Sequence, residues 1–183
     1  MRLVLVFAFF FAFVLLSSAL ALTVDEAYKS IPHRRMEYSA AKSTLPSNVS
    51  RELEKLFKLS DEALVGRIET MKGLQQNHTD VFSAYQTKIE KVISGLDEIK
   101  DPELAQLTTL LKNAIKSQGE YFSNWHSALV SGQSYHSVGS DTDVRNASSS
   151  LQQLYSMLTQ KYPKEHPDNL DSFYQHLCAL DFL

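Results

Sequence analysis

Apolar residues recur at spacings of three and four along nearly the whole chain beyond Ala21, and this pattern constrains the fold more than any other feature. The clearest stripes are Phe82, Tyr85, Ile89, Val92, Leu96 and Ile99; Leu104, Leu107, Leu111, Ala114, Tyr121, Trp125 and Leu129; and Val144, Ala147, Leu151, Leu154 and Leu158. Such spacing places the apolar side chains on one face of an α-helix. We therefore predict an all-α fold, a single antiparallel helical bundle of four main helices plus shorter ones.

Helix boundaries are predicted from acceptor side chains and prolines that stand before apolar stripes. An acceptor can satisfy a free backbone N–H at a helix start, and proline is tolerated in the first turn. These signals predict helix starts at Thr23 with Glu26, Asn77 with Asp80, Asp101-Pro102, Ser140 with Asp143, and Pro167. Ser60-Asp61-Glu62 interrupts an apolar stripe, so we expect a turn there. Gln118 occupies a stripe position and predicts either a local polar contact or a hydrated cavity.

The first 21 residues have the pattern of a cleavable signal peptide. Arg2 precedes an uninterrupted apolar run from Leu3 to Leu16, and Ala19-x-Ala21 matches the small-residue pattern that signal peptidase cleaves. We expect a secreted or periplasmic protein that begins near Leu22, with an uncleaved membrane anchor as the alternative. The predicted organisation is a signal peptide at 1–21, an N-terminal arm with a short helix at 22–46, and a helical bundle at 47–183.

Charge and cysteine content limit the partners and the covalent chemistry. The formal net charge of −3 gives no support for nucleic acid or an anionic membrane as partner. The single cysteine, Cys178, excludes an internal disulfide and is expected to be a structural thiol beside the last apolar stripe. Three sequons, at Asn48, Asn77 and Asn146, would be glycosylation candidates only in a eukaryotic secretory pathway. The scarcity of cysteine favours a bacterial periplasmic protein instead.

The histidines and glycines show none of the motifs that carry metal or nucleotide chemistry. No two of the six histidines are three or four residues apart, as a metal-binding pair on one helical face requires. Neither a Gly-x-Ser-x-Gly elbow nor a phosphate-binding glycine loop occurs. We therefore predict no metal site, no cofactor and no catalytic residue, and regard the chain as more consistent with a non-enzyme.

Two segments are candidate binding sites. His33, Arg34 and Arg35 follow Lys29 closely and give a cationic segment that suits a carboxylate, a phosphate or an acidic protein surface. The alternative is an arm laid across the bundle, with its arginines paired with acids such as Glu37 or Glu52. Trp125 lies in an aromatic cluster with Tyr121, Phe122 and His126, which predicts either ordinary core packing or the wall of an apolar pocket.

These features lead to three functional hypotheses. The first is an exported, non-catalytic helical protein that binds a partner or is associated with the cell envelope. The second is a small-molecule carrier with an apolar or anionic site in the bundle. The third is an enzyme of unrecognised type that uses His33 with an arginine.

Overall fold

Five α-helices make up most of the residues that the computed structural model describes, which are 37–135 and 141–181. The helices are α1 (Ser47–Gln75), α2 (Val81–Asp97), α3 (Ala105–Val130), α4 (Thr142–Lys161) and α5 (Pro167–Leu180). These two ranges contain no strand, and none of their helices is long and apolar enough to cross a membrane. The predicted all-α bundle is confirmed. The predicted signal peptide, the Thr23–Glu26 helix start and most of the N-terminal arm lie outside the described residues.

The apolar stripes form one core between the helices. The most extensive helix pairs are α3 with α4 and α1 with α2, while α1 also contacts α3 and α5. Members of all three stripes are buried there, among them Ile89, Leu111, Tyr121 and Leu154. Burying a large apolar side chain stabilises a fold by about 1.5–3 kcal/mol, so these stripes supply the main driving force for the bundle.

The turn predicted at Ser60-Asp61-Glu62 is wrong, because α1 is continuous through it. One contact within the helix and one with α5 explain why these polar residues do not end it. The Ser60 hydroxyl, which is 1% exposed, donates to the Phe57 carbonyl at 2.7 Å. Asp61 lies 2.9 Å from the ring nitrogen of His176 on α5. Both residues therefore have hydrogen-bond partners inside a regular helix.

The predicted start of the last helix at Pro167 is confirmed, and the start of α4 was placed within a few residues. Pro167 is the first residue of α5, and the His166 ring nitrogen accepts a hydrogen bond from the Asp168 N–H. The α4 helix is capped by Asp141, whose carboxylate accepts from the Asp143 N–H at 2.8 Å. Ser140, the cap that the sequence suggested, lies outside the described residues.

Two other predicted starts are displaced. Asp101-Pro102 forms a turn before α3, in which the Asp101 carboxylate accepts from the Glu103 N–H at 2.8 Å. The helix itself begins at Ala105. Asn77 does not cap α2 but stands in the preceding turn with φ 60°, a left-handed conformation that asparagine tolerates better than most residues.

Gly73 allows the close approach of α1 and α2. A Cβ atom at this position would lie only 2.5 Å from Cγ1 of Val81, the first residue of α2. Gly119 in α3 differs, since a Cβ atom there would have no neighbour within 4 Å. The two glycines therefore provide a matched pair for testing how tightly the helices pack.

We predict that Gly73→Ala and Gly119→Ala change stability in opposite directions. Gly73→Ala should destabilise the fold by about 1–3 kcal/mol, because the added methyl forces the helices apart. Gly119→Ala should stabilise it by about 0.5–1 kcal/mol, because alanine is the better helix former. Urea unfolding of the two variants measures both changes, and a shift of the same sign in both would contradict the packing described here.

Candidate functional site

The cationic candidate site at His33, Arg34 and Arg35 lies outside the described residues. The description begins at Glu37, and Tyr38 is already buried, with its ring 5.4 Å from that of Phe173 on α5. Tyr38, three residues after Arg35, therefore lies beside α5. Whether these three residues form a site stays a prediction.

Trp125 lies in a packed aromatic cluster near the end of α3. Its indole ring is 6.0 Å from the ring of Tyr121 and 6.1 Å from that of Tyr135, and the Tyr135 ring stacks on it at 15°. The ring of Phe122 lies 6.5 Å from the indole ring. His126, which the sequence placed in the same cluster, turns away and stacks on Phe82 at 4.8 Å. The cluster therefore combines core packing with one accessible edge, since Trp125 remains 9% exposed.

A shallow groove of about 460 Å³ opens beside Trp125, between the ends of α1 and α3. Among the described residues, no charged side chain lines it. The lining residues are Leu74, Gln75, Asn77, Trp125, Leu129, Gly132, Gln133, Ser134 and Tyr135. The lining mixes apolar and aromatic side chains with amide and hydroxyl groups, and the groove is open to solvent. It could therefore hold a small neutral group with both an apolar and a polar part.

Two polar side chains in the core hold the C-terminal end of α5. Gln118, which is 1% exposed, donates from its amide nitrogen to the Leu180 carbonyl at 2.5 Å. Arg67, which is 6% exposed, donates to the Asp181 carbonyl at 2.6 Å. The last carbonyls of a helix lack partners within the helix. Gln118 is therefore explained by a local polar contact, the first of the two alternatives that its position suggested.

Arg67 is a buried residue that the sequence analysis missed. A signal was present, because Arg67 follows Leu64 by three residues and precedes Met71 by four, which is the spacing of the α1 stripe. An arginine at a stripe position predicts a buried cation with a dedicated acceptor.

Nearby, burial raises the pKa of Tyr121 to about 12, so its hydroxyl stays protonated at neutral pH.

Asp61 and His176 form a second polar link between α1 and α5. The Asp61 carboxylate lies 2.9 Å from Nε2 of His176. The imidazole ring is buried and packs against Phe57, with 4.3 Å between the ring centroids. Asp61 lies one helical turn along α1 from Phe57. The polar contact therefore extends the apolar contact between α1 and α5.

Glu165 is the buried carboxylate with the largest set of donors in the described chain. It accepts from the Tyr38 hydroxyl at 2.9 Å, the Ser43 hydroxyl at 2.7 Å and the His166 N–H at 2.5 Å. The amide of Asn169 adds a donor at 3.3 Å. Burial alone would raise the pKa of Glu165, but the hydrogen bonds from these groups outweigh it and lower the pKa below its usual value. Glu165 therefore ties residues 37–46 to the start of α5.

Cys178 and the acidic and histidine side chains do not form a further reactive cluster in the described ranges. Burial raises the pKa of the half-buried Cys178 thiol, which opposes formation of a nucleophilic thiolate. Within residues 37–135 and 141–181 there is no group of three or more histidine, cysteine, aspartate or glutamate side chains arranged to hold a metal ion.

The asparagines of all three sequons are exposed. Asn48 lies in the first turn of α1, Asn77 in the turn between α1 and α2, and Asn146 in the second turn of α4. The fold would therefore leave room for a glycan at each position.

Comparison with known protein families, curated proteins and solved structures finds no match to this chain.

We predict that Glu165 makes the bundle sensitive to acid. Because the pKa of Glu165 is lowered in the folded state, its contribution to stability is complete above the unfolded value of about 4.3 and is lost as pH falls through the folded value. Glu165→Gln should cost about 1.5–3 kcal/mol at pH 7, the range for hydrogen bonds to a charged group. The variant should also lose part of the fall in stability below about pH 4.3.

Glu90→Gln is the matched control, since Glu90 is exposed on α2. Urea unfolding between pH 3 and pH 7 measures all three proteins. Equal pH profiles for the wild type and Glu165→Gln would contradict the assignment of Glu165.

Proposed function

We propose that this chain is an exported, non-catalytic helical protein that binds a partner or is associated with the cell envelope. The observation that supports it best is that the buried ionisable side chains hold parts of the fold together. Glu165, Arg67 and His176 each join α5 to another part of the chain. These are the side chains whose burial would otherwise suit them to reactive chemistry.

A catalytic acid, base or nucleophile must reach the substrate atom on which it acts. The Glu165 carboxylate is surrounded by donors from its own chain, and the Arg67 guanidinium is committed to the end of α5. Both groups would have to abandon contacts that hold α5 in place in order to act on a substrate. This arrangement favours a binding or structural protein over an enzyme.

Export and the recognition element are proposed from sequence patterns. The apolar run Leu3–Leu16 and Ala19-x-Ala21 support passage through a membrane and cleavage near Leu22. Arg34 and Arg35 would supply the contact with an acidic partner, because arginine's planar fork suits carboxylates. Tyr38, three residues after Arg35, is buried against α5, which supports a recognition element held close to the bundle.

A small-molecule carrier is the second candidate, and the groove beside Trp125 favours it. The groove is large enough for a small ligand, and Trp125 and Tyr135 would provide aromatic contact. In this function Trp125, rather than Arg34 and Arg35, would determine binding.

Native mass spectrometry of the protein purified from its own host tests both functions. We predict a mass that corresponds to a chain beginning within two residues of Leu22, together with a protein partner that is retained at low salt. Arg34→Ala with Arg35→Ala should lose the partner and cost about 1 kcal/mol or less in stability, as exposed ion pairs do. Lys58→Ala with Lys91→Ala removes two exposed cations elsewhere and should keep the partner.

A mass that includes Met1 would contradict export and cleavage. A bound small molecule that is lost in Trp125→Ala but retained in the double arginine variant would establish the carrier instead. If the double arginine variant unfolds, Arg34 and Arg35 belong to the fold and are not a recognition element.

A further inference from the structure

The groove beside Trp125 is formed by two helix ends that finish in the same way. Asn77 stands two residues beyond the end of α1 with φ 60°, and Gly132 stands two residues beyond the end of α3 with φ 69°. In both turns the N–H of the following residue donates to a carbonyl five residues earlier, at 2.9 Å after α1 and at 2.8 Å after α3. This is the Schellman arrangement, which fixes the direction of the chain after a helix.

These two turns and the residues beside them give the groove its polar lining. Gln75 and Asn77 lie on the α1 side, and Gln133 and Ser134 lie on the α3 side. All four side chains are exposed. An amide carries both donors and an acceptor, and a hydroxyl can donate and accept. Because the turns fix the backbone at Asn77 and Gln133, each side of the groove presents an amide from a fixed point.

Tyr135 supplies the aromatic part of the lining together with Trp125. Its hydroxyl donates to Oδ2 of Asp141 at 2.5 Å, and Oδ1 of Asp141 accepts from the Asp143 N–H at the start of α4. The Tyr135 ring also stacks on Trp125 at 15°. Tyr135 is therefore held in place while it remains half-buried, so the groove is formed before a ligand arrives.

The mixture of groups in the lining indicates a class of ligand. Among the described residues, those that line the groove carry no charge, so an ionic ligand would give up water without gaining a counter-ion. A hydrocarbon chain would cover the amides and leave them without partners. A sugar ring avoids both costs, because its hydroxyls donate and accept as the amides do while its C–H face is apolar. The negative face of an aromatic ring attracts such C–H groups.

We propose that the groove binds a neutral sugar ring, whose C–H face packs against Tyr135 and the exposed edge of Trp125. Gln75, Asn77 and Gln133 form hydrogen bonds with the hydroxyls at the rim of the ring. The inference rests on the carrier function proposed above and names the class of its ligand.

The size and shape of the groove indicate weak binding. Its volume of about 460 Å³ lies within the range of ligand pockets and is large enough for one sugar ring. The groove is shallow, so one side of the ligand stays in water and contributes little. We expect a dissociation constant of about 0.1–10 mM.

Two-dimensional ¹H–¹⁵N NMR of the mature protein tests the proposal, because Trp125 is the only tryptophan of the chain and gives a single indole N–H signal. The probes are the methyl glycosides of glucose, galactose, mannose and N-acetylglucosamine, each titrated to about 50 mM. At least one of them should shift the indole signal and the backbone signals of Asn77 and Gln133, with saturation.

Two matched double variants locate the binding site. Asn77→Gly with Gln133→Ala removes two amides from the groove, and glycine keeps the left-handed turn. This variant should raise the dissociation constant at least about tenfold. Gln86→Ala with Gln152→Ala removes two exposed amides on α2 and α4 and should change it less than about twofold. Tyr135→Ala provides a second test if the groove variant fails to fold, and it should weaken binding about fivefold or more.

Cyclohexanol, an apolar ring with one hydroxyl, separates this inference from the carrier function. If cyclohexanol shifts the Trp125 signal and none of the glycosides does, the groove holds small molecules but the sugar class is wrong. If no probe binds, the inference and the use of the groove by a carrier both fail. Equal weakening in the two double variants would also overturn the proposal.

Discussion

The last helix, α5, is joined to the bundle by buried polar contacts at its start, middle and end. Glu165 ties the start to residues 37–46, and Asp61 with His176 links the middle to α1. Gln118 and Arg67 donate to the final carbonyls. A buried polar group costs stability when its partner is missing. These contacts therefore favour one position of α5 over others that would bury equal apolar area.

Because the buried polar side chains hold α5 in place, the surfaces left to bind other molecules are those exposed to solvent. Within the described residues, the buried acidic, basic and imidazole side chains join α5 to other parts of the chain, while the groove beside Trp125 is open to solvent. Under the carrier proposal, the groove is the surface at which a small molecule would bind.

The helical class and the core followed from the spacing of apolar residues, because a helix must bury its apolar face whatever its neighbours are. Helix boundaries were less predictable. Ser60 and Asp61 read as a turn in the sequence, yet contacts with Phe57 and His176 keep α1 continuous. Arg67 was missed because its acceptor, the Asp181 carbonyl, is far away in sequence. The Trp125 groove was only half predicted, since Tyr135 lies beyond the end of α3 and has no helical spacing to reveal it.

Native-state hydrogen exchange of the backbone amides in α5 tests the central claim most directly. If the buried contacts of Arg67, Gln118, His176 and Glu165 make α5 part of the core, amides from Ser172 to Leu177 should open with the same free energy as those in the middle of α1. That free energy should equal the global free energy of unfolding. Exchange of α5 through a separate opening of clearly lower free energy, with α1 still protected, would contradict the account.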